Sequence, residues 1–175
     1  MEEYLNMYHN CHACSRIIQT NQYFCPSCLH KEVLQAIDQL KPKNMEETPC
    51  FDVFPSAMVE HMNKFLKKDI SDLFGCMYYE LWNPTVLMSA RILENQLKVH
   101  IYTDLHIEDD LQSIGACINI MKKANYPFEF ISMIDELRDL RNEAMHGEAR
   151  FGSDEAMNIA KKVLKILAWI YNIPA

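Results

Sequence analysis

The spacing of apolar positions divides the chain into a short head without helical periodicity and a longer helical part. From about residue 31 onward, apolar residues recur every three or four positions, as they do on one face of an α-helix. Strand-like alternation of any length is missing from that part of the sequence. The pattern therefore predicts a mainly α protein, with helices in segments 31–40, 55–68, 69–82, 85–102, 106–125, 127–147 and 152–172.

Prolines, glycine and capping residues mark the expected ends of these helices. Asn83–Pro84 suits a stop followed by a restart, because proline disrupts a helix interior. Gly147 suits a C-cap at the end of segment 127–147. Either Ser153 or Asp154 suits the N-cap of the last helix, and acidic side chains favour its positive end.

Composition indicates one domain of moderate size with a small appendage. The chain has 175 residues, 49% of them apolar, and no stretch reaches the roughly 18 uninterrupted apolar residues of a membrane span. The polar, acidic N-terminus does not resemble a signal peptide, so we expect a cytoplasmic protein with no membrane association. The net charge of −7 disfavours broad, non-specific binding to nucleic acid, although it permits a local basic patch or a basic partner.

The head carries two C-x2-C pairs that are separated by ten residues, Cys11 with Cys14 and Cys25 with Cys28. This spacing lets one tight turn present two thiolates to one ion, which predicts a structural, tetrahedral Zn²⁺ site in a zinc ribbon. Two disulfides are disfavoured without a secretion signal. Redox catalysis would need a thioredoxin-like context that the sequence lacks.

The predicted organisation is a zinc ribbon at 1–32, a helix and linker at 33–51, and a helical domain at 52–175. The polar stretch 41–49, which holds two prolines, places the linker. Two questions about the head stay open. One of the nearby histidines could replace a thiolate, and the head could contact a partner either as a protein-binding module or through a small basic rim. The residues concerned are His9, His12, His30, Arg16 and Lys31.

Three cysteines fall outside the two pairs. Cys50, Cys76 and Cys117 each lie beside apolar residues, so we expect buried free thiols.

An arginine lies close to the centre of the apolar side predicted for segment 127–147. Arg141 falls among Phe130, Ile131, Ile134, Leu137, Leu140, Ala144 and Met145.

A carboxylate occupies the equivalent position in segment 85–102, where Glu94 lies within the stripe of Leu87, Ala90, Leu97 and Ile101. Because a buried guanidinium without a partner costs several kcal/mol, we predict that the two helices pack and that Glu94 meets Arg141. The pair could serve a reaction, or it could only fix the register of the helices.

A polar stripe, Arg138, Asn142 and His146, runs along the edge of the same side. Together, Arg141-Asn142-x-x-x-His146 near a helix end resembles the R-x4-H signature of the HEPN superfamily, a nucleotide-binding domain of higher eukaryotes and prokaryotes. With "NPTVLMSARILENQL" upstream and "SDEAMNIAKKVLKIL" downstream, residues 52–171 resemble an uncharacterised bacterial and phage branch that also occurs attached to restriction-enzyme subunits.

The resemblance implies a HEPN-like helical bundle that acts as a homodimer. Active members are metal-independent endoribonucleases that use the ribose 2′-hydroxyl as nucleophile and leave a cyclic phosphate. By this mapping His146 is the acid–base group, Arg141 stabilises the phosphorane, Asn142 orients the phosphate and Glu94 orients Arg141. The expected function is therefore a HEPN-type, metal-independent endoribonuclease or an RNA-binding effector in host–phage conflict.

Two other functions stay open. The protein could be a non-catalytic interaction protein, such as a phage-encoded inhibitor of a bacterial defence system, which its acidic charge favours. It could also be a nucleotide or nucleic-acid sensor that binds without cleaving. In the terminal helix, Trp169 and Tyr171 lie partly outside the predicted core stripe, so they belong either to a dimer contact or to ordinary core packing.

Overall fold

Helices make up almost all of the chain that the computed structural model describes, residues 9–11, 13–15, 17–18, 24–41, 52–104, 106–107, 113–146 and 150–172. In the head, β1 (His9–Asn10) pairs antiparallel with β2 (Ile17–Ile18). A continuous helix follows, made of α1 (Pro26–Cys28), a π-helical stretch (Leu29–Leu34) and α2 (Gln35–Asp38). The remaining helices are α3 (Ser56–His61), α4 (Lys64–Tyr78), α5 (Trp82–Asp104), α6 (Ile114–Lys123), α7 (Phe128–His146) and α8 (Ser153–Ile170). The mainly α fold class is confirmed.

The long helix α5 occupies the centre and packs against α8, α4, α7 and α6. Its position explains why it buries polar side chains as well as apolar ones. Buried Gln96 accepts a hydrogen bond from Tyr171 Oη at 2.8 Å, and buried His100 lies 2.9 Å from Tyr126 Oη. These partners satisfy groups that would otherwise be costly to bury.

The apolar stripe of α8 is confirmed, since Ile159, Val163, Ile166, Leu167 and Ile170 are all buried.

The two aromatic residues at the end of α8 are held by contacts within the chain. The Trp169 ring stacks on Phe130 with centroids 4.1 Å apart, and the Tyr171 hydroxyl bonds to Gln96. Ordinary core packing therefore accounts for both side chains. No helix within the described ranges is long and apolar enough to cross a membrane.

Two helix boundaries differ from the prediction in the region of α4 and α5. A break at residues 62–63 divides the predicted helix 55–68, because the Asn63 side chain accepts hydrogen bonds from the Phe65 and Leu66 N–H groups and starts α4. The predicted stop at Asn83–Pro84 is wrong. Pro84 lies in the first turn of α5, where a missing N–H costs nothing.

Helix starts also differ in α6 and α8. Ser113 caps α6, so that helix begins well after the predicted residue 106. The N-cap of α8 is Gly152, and the prediction of Ser153 or Asp154 is wrong. The acidic side chains Asp154 and Glu155 do lie in its first turn, as expected. Gly147 and residues 42–51, which include Cys50 and most of the predicted linker, lie outside the described residues.

The head is fastened to the end of α8 by one amide side chain. Buried Asn172 accepts a hydrogen bond from the Phe24 N–H at 3.0 Å and donates one to the Phe24 carbonyl at 3.1 Å. Within α8 itself, Lys161 donates a hydrogen bond to the Asp38 carbonyl at 2.7 Å, and Lys165 forms an ion pair with the Asp38 carboxylate at 2.6 Å. Head and helices share one core, so the predicted domain limits stay a prediction.

We expect Asn172→Ala to lower the free energy of unfolding by about 2–4 kcal/mol, because the backbone of Phe24 would lose both of its buried hydrogen bonds to this side chain. Chemical denaturation followed by circular dichroism would measure the change. Asn158→Ala, at an exposed position of α8, is the control and should stay within about 0.5 kcal/mol of the wild type. Equal stability of the two variants would contradict the assigned role of Asn172.

Candidate metal centre and candidate active site

The four paired cysteines of the head converge on one point. The sulfur atoms of Cys11, Cys14, Cys25 and Cys28 all lie within 4.8 Å of one another. Four thiolates about 2.3 Å from a central Zn²⁺ would be about 3.8 Å apart, so the cluster is close to the size that a tetrahedral site needs. The Cys14–Cys25 sulfur distance of 4.0 Å is far from the roughly 2.05 Å of a disulfide.

Backbone N–H groups near the cluster stabilise negative charge on the Cys11 sulfur. Burial raises the pKa of the Cys11 thiol, but N–H groups of Cys25, Cys14 and Ala13 outweigh this effect and lower the pKa to about 6. The N–H of Cys25 lies 3.4 Å from the Cys11 sulfur. Hydrogen bonds that the Cys28 thiol donates toward the Cys14 and Cys25 sulfur atoms raise the pKa of Cys28 to about 12, so the thiols share protons that a divalent cation would displace.

The four clustered cysteines are consistent with the structural Zn²⁺ site that the sequence predicts. Four thiolates fill a tetrahedral coordination sphere and leave no position for a reactive water, so the metal would stabilise the head and take no part in catalysis. The exposed His30 is not a member of the cluster. Lys31 is exposed and lies 3.7 Å from Glu32, while the side chains of His9, His12 and Arg16 lie outside the described residues.

The remaining cysteines are simple thiols in the part of the chain that is described. Cys117 is buried as predicted, and Cys76 is half-buried. Burial raises the pKa of both thiols, which keeps them protonated.

The predicted pairing of Glu94 with Arg141 is confirmed. Arg141 Nη2 lies 3.2 Å from Glu94 Oε2 and joins α7 to α5. Lys98, one turn after Glu94, binds the other carboxylate oxygen at 2.8 Å. A contact of Lys98 with Glu94 was not predicted, although i,i+4 spacing on a helix favours such an ion pair.

The expected deep burial of Arg141 is wrong. Its side chain is 38% exposed, whereas that of Glu94 is 16% exposed. Arg141 has the angular position predicted for the buried side, but this side is only partly covered near the end of α7, where Ala144 is buried and Met145 is 61% exposed. Leu87 of α5, also predicted to be buried, is exposed too. The pair therefore lies at the rim of the core, where solvent reaches the guanidinium.

The polar stripe on α7 lies on the surface. Arg138 forms ion pairs with Asp135 at 2.7 Å and with Asp139 at 2.8 Å, and its bond to Asp139 raises the guanidinium pKa. Asn142 and His146 are exposed on the last turns of the helix. Two guanidinium groups, an amide and an imidazole thus lie along one solvent-accessible end of α7.

In comparisons with protein-family models, curated proteins and solved structures, no match was found for this chain.

We expect Glu94→Gln to destabilise the fold by about 1 kcal/mol, because both cations that it neutralises are about one-third exposed and partly screened. A double-mutant cycle with Arg141→Gln should give a coupling energy of about 0.5–1 kcal/mol. Thermal and urea unfolding would measure both quantities. Glu143→Gln, at an exposed position of α7, is the control and should leave stability unchanged. No coupling between Glu94 and Arg141 would show that the pair is energetically unimportant.

Proposed function

We propose that this protein is a HEPN-like, metal-independent endoribonuclease that acts in host–phage conflict. The observation that carries the proposal is the pairing of Glu94 with Arg141, in which a carboxylate on α5 holds the arginine of the R-x4-H motif at the accessible end of α7. The resemblance assigns this orienting role to Glu94. Exposure of Asn142 and His146 on the same end of the helix supports access for a large substrate.

The reaction class follows from the side chains available. A ribose 2′-hydroxyl attacks the adjacent phosphorus, and the P–O5′ bond breaks to leave a 2′,3′-cyclic phosphate and a 5′-hydroxyl. His146 would transfer a proton to or from the reacting oxygens, as imidazole does in general acid–base catalysis. Arg141 would face the charge that builds on the phosphorane, and Asn142 would hold a phosphate oxygen.

Each chain contributes one Arg141, one Asn142 and one His146. In a dimer, the residues of both chains would line the same RNA-binding site. The family resemblance supplies the homodimer, in which the ends of the two α7 helices line one cleft. Solvent-exposed Met145, one turn after Arg141, and Leu87, two turns before Glu94, offer apolar surface for such a contact.

A second function, a non-catalytic interaction protein, is favoured by the local charge balance. Arg138 is neutralised by Asp135 and Asp139, and Arg141 shares Glu94 with Lys98. Guanidinium groups that are already paired attract phosphate less, and the net charge of −7 adds repulsion. Such a surface suits a protein partner.

The test is RNA cleavage by the zinc-loaded wild type without added metal. Structured and unstructured RNAs should be cut, each product should carry a 2′,3′-cyclic phosphate, and a 2′-O-methyl version of the cleaved site should stay intact. These outcomes follow because the nucleophile belongs to the substrate. A folded, dimeric wild type that leaves every RNA intact would favour the interaction protein, whose partner could then be sought by affinity capture and identified by mass spectrometry.

A further inference from the structure

The four ligands of the candidate zinc site differ in their access to solvent. Cys11 and Cys25 are 1% and 4% exposed, Cys28 is half-buried and Cys14 is exposed. Zinc-bound cysteines are thiolates, and the susceptibility of a thiolate to oxidation follows its exposure. A dissolved oxidant would therefore meet the Cys14 sulfur first.

A buried thiolate lies beside the exposed one. The Cys14 and Cys25 sulfur atoms are 4.0 Å apart, so a shift of about 2 Å would bring them to bonding distance. Cys14 lies on the turn of the first knuckle, at residues 13–14, and that turn is exposed. Because this turn is not packed in the core, little opposes a shift of the Cys14 sulfur toward Cys25.

The second knuckle is mechanically tied to the helical bundle. Cys25 directly follows Phe24, whose backbone is bound on both sides by Asn172. On the other side, Leu29 and Leu34 line a 260 Å³ cavity together with Trp169 of α8. A displacement of Cys25 would thus act on the contact between the head and the end of α8.

We propose that the cysteine cluster is an oxidation-sensitive switch, in which Cys14 is the modified residue, Cys25 is its disulfide partner, and loss of Zn²⁺ undocks the head from the end of α8. The oxidant class is a two-electron peroxide. The proposal does not depend on the RNA cleavage proposed above.

The chemistry balances with hydrogen peroxide as the oxidant. The Cys14 thiolate attacks one peroxide oxygen, the O–O bond breaks, and a sulfenic acid forms while the released hydroxide takes a proton to become water. The Cys25 thiolate then attacks the Cys14 sulfur, the S–O bond breaks, and a second hydroxide leaves as water after protonation. Two thiolates lose two electrons in total, and the two thiolates that are left no longer hold Zn²⁺ tightly.

The experiment treats the full, zinc-loaded chain with hydrogen peroxide and follows three signals. A chromogenic chelator detects released zinc, differential alkylation with peptide mass spectrometry identifies the first disulfide, and fluorescence reports Trp169. Trp82→Phe makes Trp169 the sole tryptophan, since the sequence has two. Peptides with Cys76 and Cys117 serve as internal controls in the same digest.

We expect loss of one zinc per chain, a first bridge between Cys14 and Cys25, and a red shift of Trp169 emission, all reversed by dithiothreitol with added zinc. Asn172→Ala should release zinc faster than Asn158→Ala at the same peroxide concentration, because the second knuckle is no longer held. Retention of zinc, a first bridge other than Cys14–Cys25, or zinc release without a change in Trp169 emission would each overturn the proposal.

Discussion

Replacing Cys25 by serine will abolish stoichiometric zinc binding and lower the melting temperature by about 10 °C or more. Structural Zn²⁺ contributes about 10–16 kcal/mol of apparent binding free energy in zinc-finger peptides, and each kcal/mol is worth about 2–4 °C in a chain of this size. Cys25 is buried, its sulfur belongs to the cluster, and its N–H points at the Cys11 sulfur. A serine hydroxyl is a poor zinc ligand, so the head would lose the ion that holds its two knuckles together.

Metal content by mass spectrometry and melting by calorimetry would measure the two effects in the same preparation. Cys76→Ser is the matched control, because Cys76 is a half-buried thiol outside the cluster. It should keep one zinc per chain and melt close to the wild type. A Cys25→Ser variant that still binds one zinc tightly would show that the cluster is not the metal site.

The cysteine cluster could be predicted from the sequence because the spacing of the cysteines within each pair is a local feature. Two residues between cysteines fix a tight turn, and a second such pair at a distance completes the ligand set. The Glu94–Arg141 contact could be predicted for a different reason. Helical periodicity gives the direction of each side chain, and opposite charges on the facing sides of two packed helices attract each other.

Some features could not be predicted because they depend on how the helices pack against one another. Periodicity gave Arg141 its correct angular position but not its exposure, because it does not show how fully neighbouring helices cover the last turns of α7. The role of Asn172 could not be predicted either. Its partner is the backbone of Phe24, and a peptide group carries no residue-specific signal. Buried Gln96 and His100 were also missed, since α5 is enclosed on several sides and does not show a single apolar stripe.

His146→Ala will reduce the rate of RNA cleavage by about 10²–10⁴-fold, the range typical for loss of a general acid–base group. The imidazole is exposed at the last residue of α7, so its removal should change the free energy of unfolding by less than about 0.5 kcal/mol. A loss of activity without a loss of stability would therefore report on chemistry. Single-turnover cleavage at saturating protein, with the dimer confirmed by light scattering, would measure the chemical step.

His106→Ala is the matched control for that experiment, because His106 is another exposed histidine that has no assigned role in the reaction. It should cleave at the wild-type rate.

Arg141→Lys provides a second, independent test of the proposed reaction. A lysine keeps the positive charge but cannot present the planar, forked donors of a guanidinium to a phosphate, so its rate should also fall while binding of RNA is largely retained. If His146→Ala cleaves as fast as His106→Ala, the imidazole is not the proton-transfer group. If the wild type cuts no RNA, and His146→Ala and Arg141→Lys bind a protein partner more weakly than His106→Ala does, the exposed end of α7 belongs to an interaction surface.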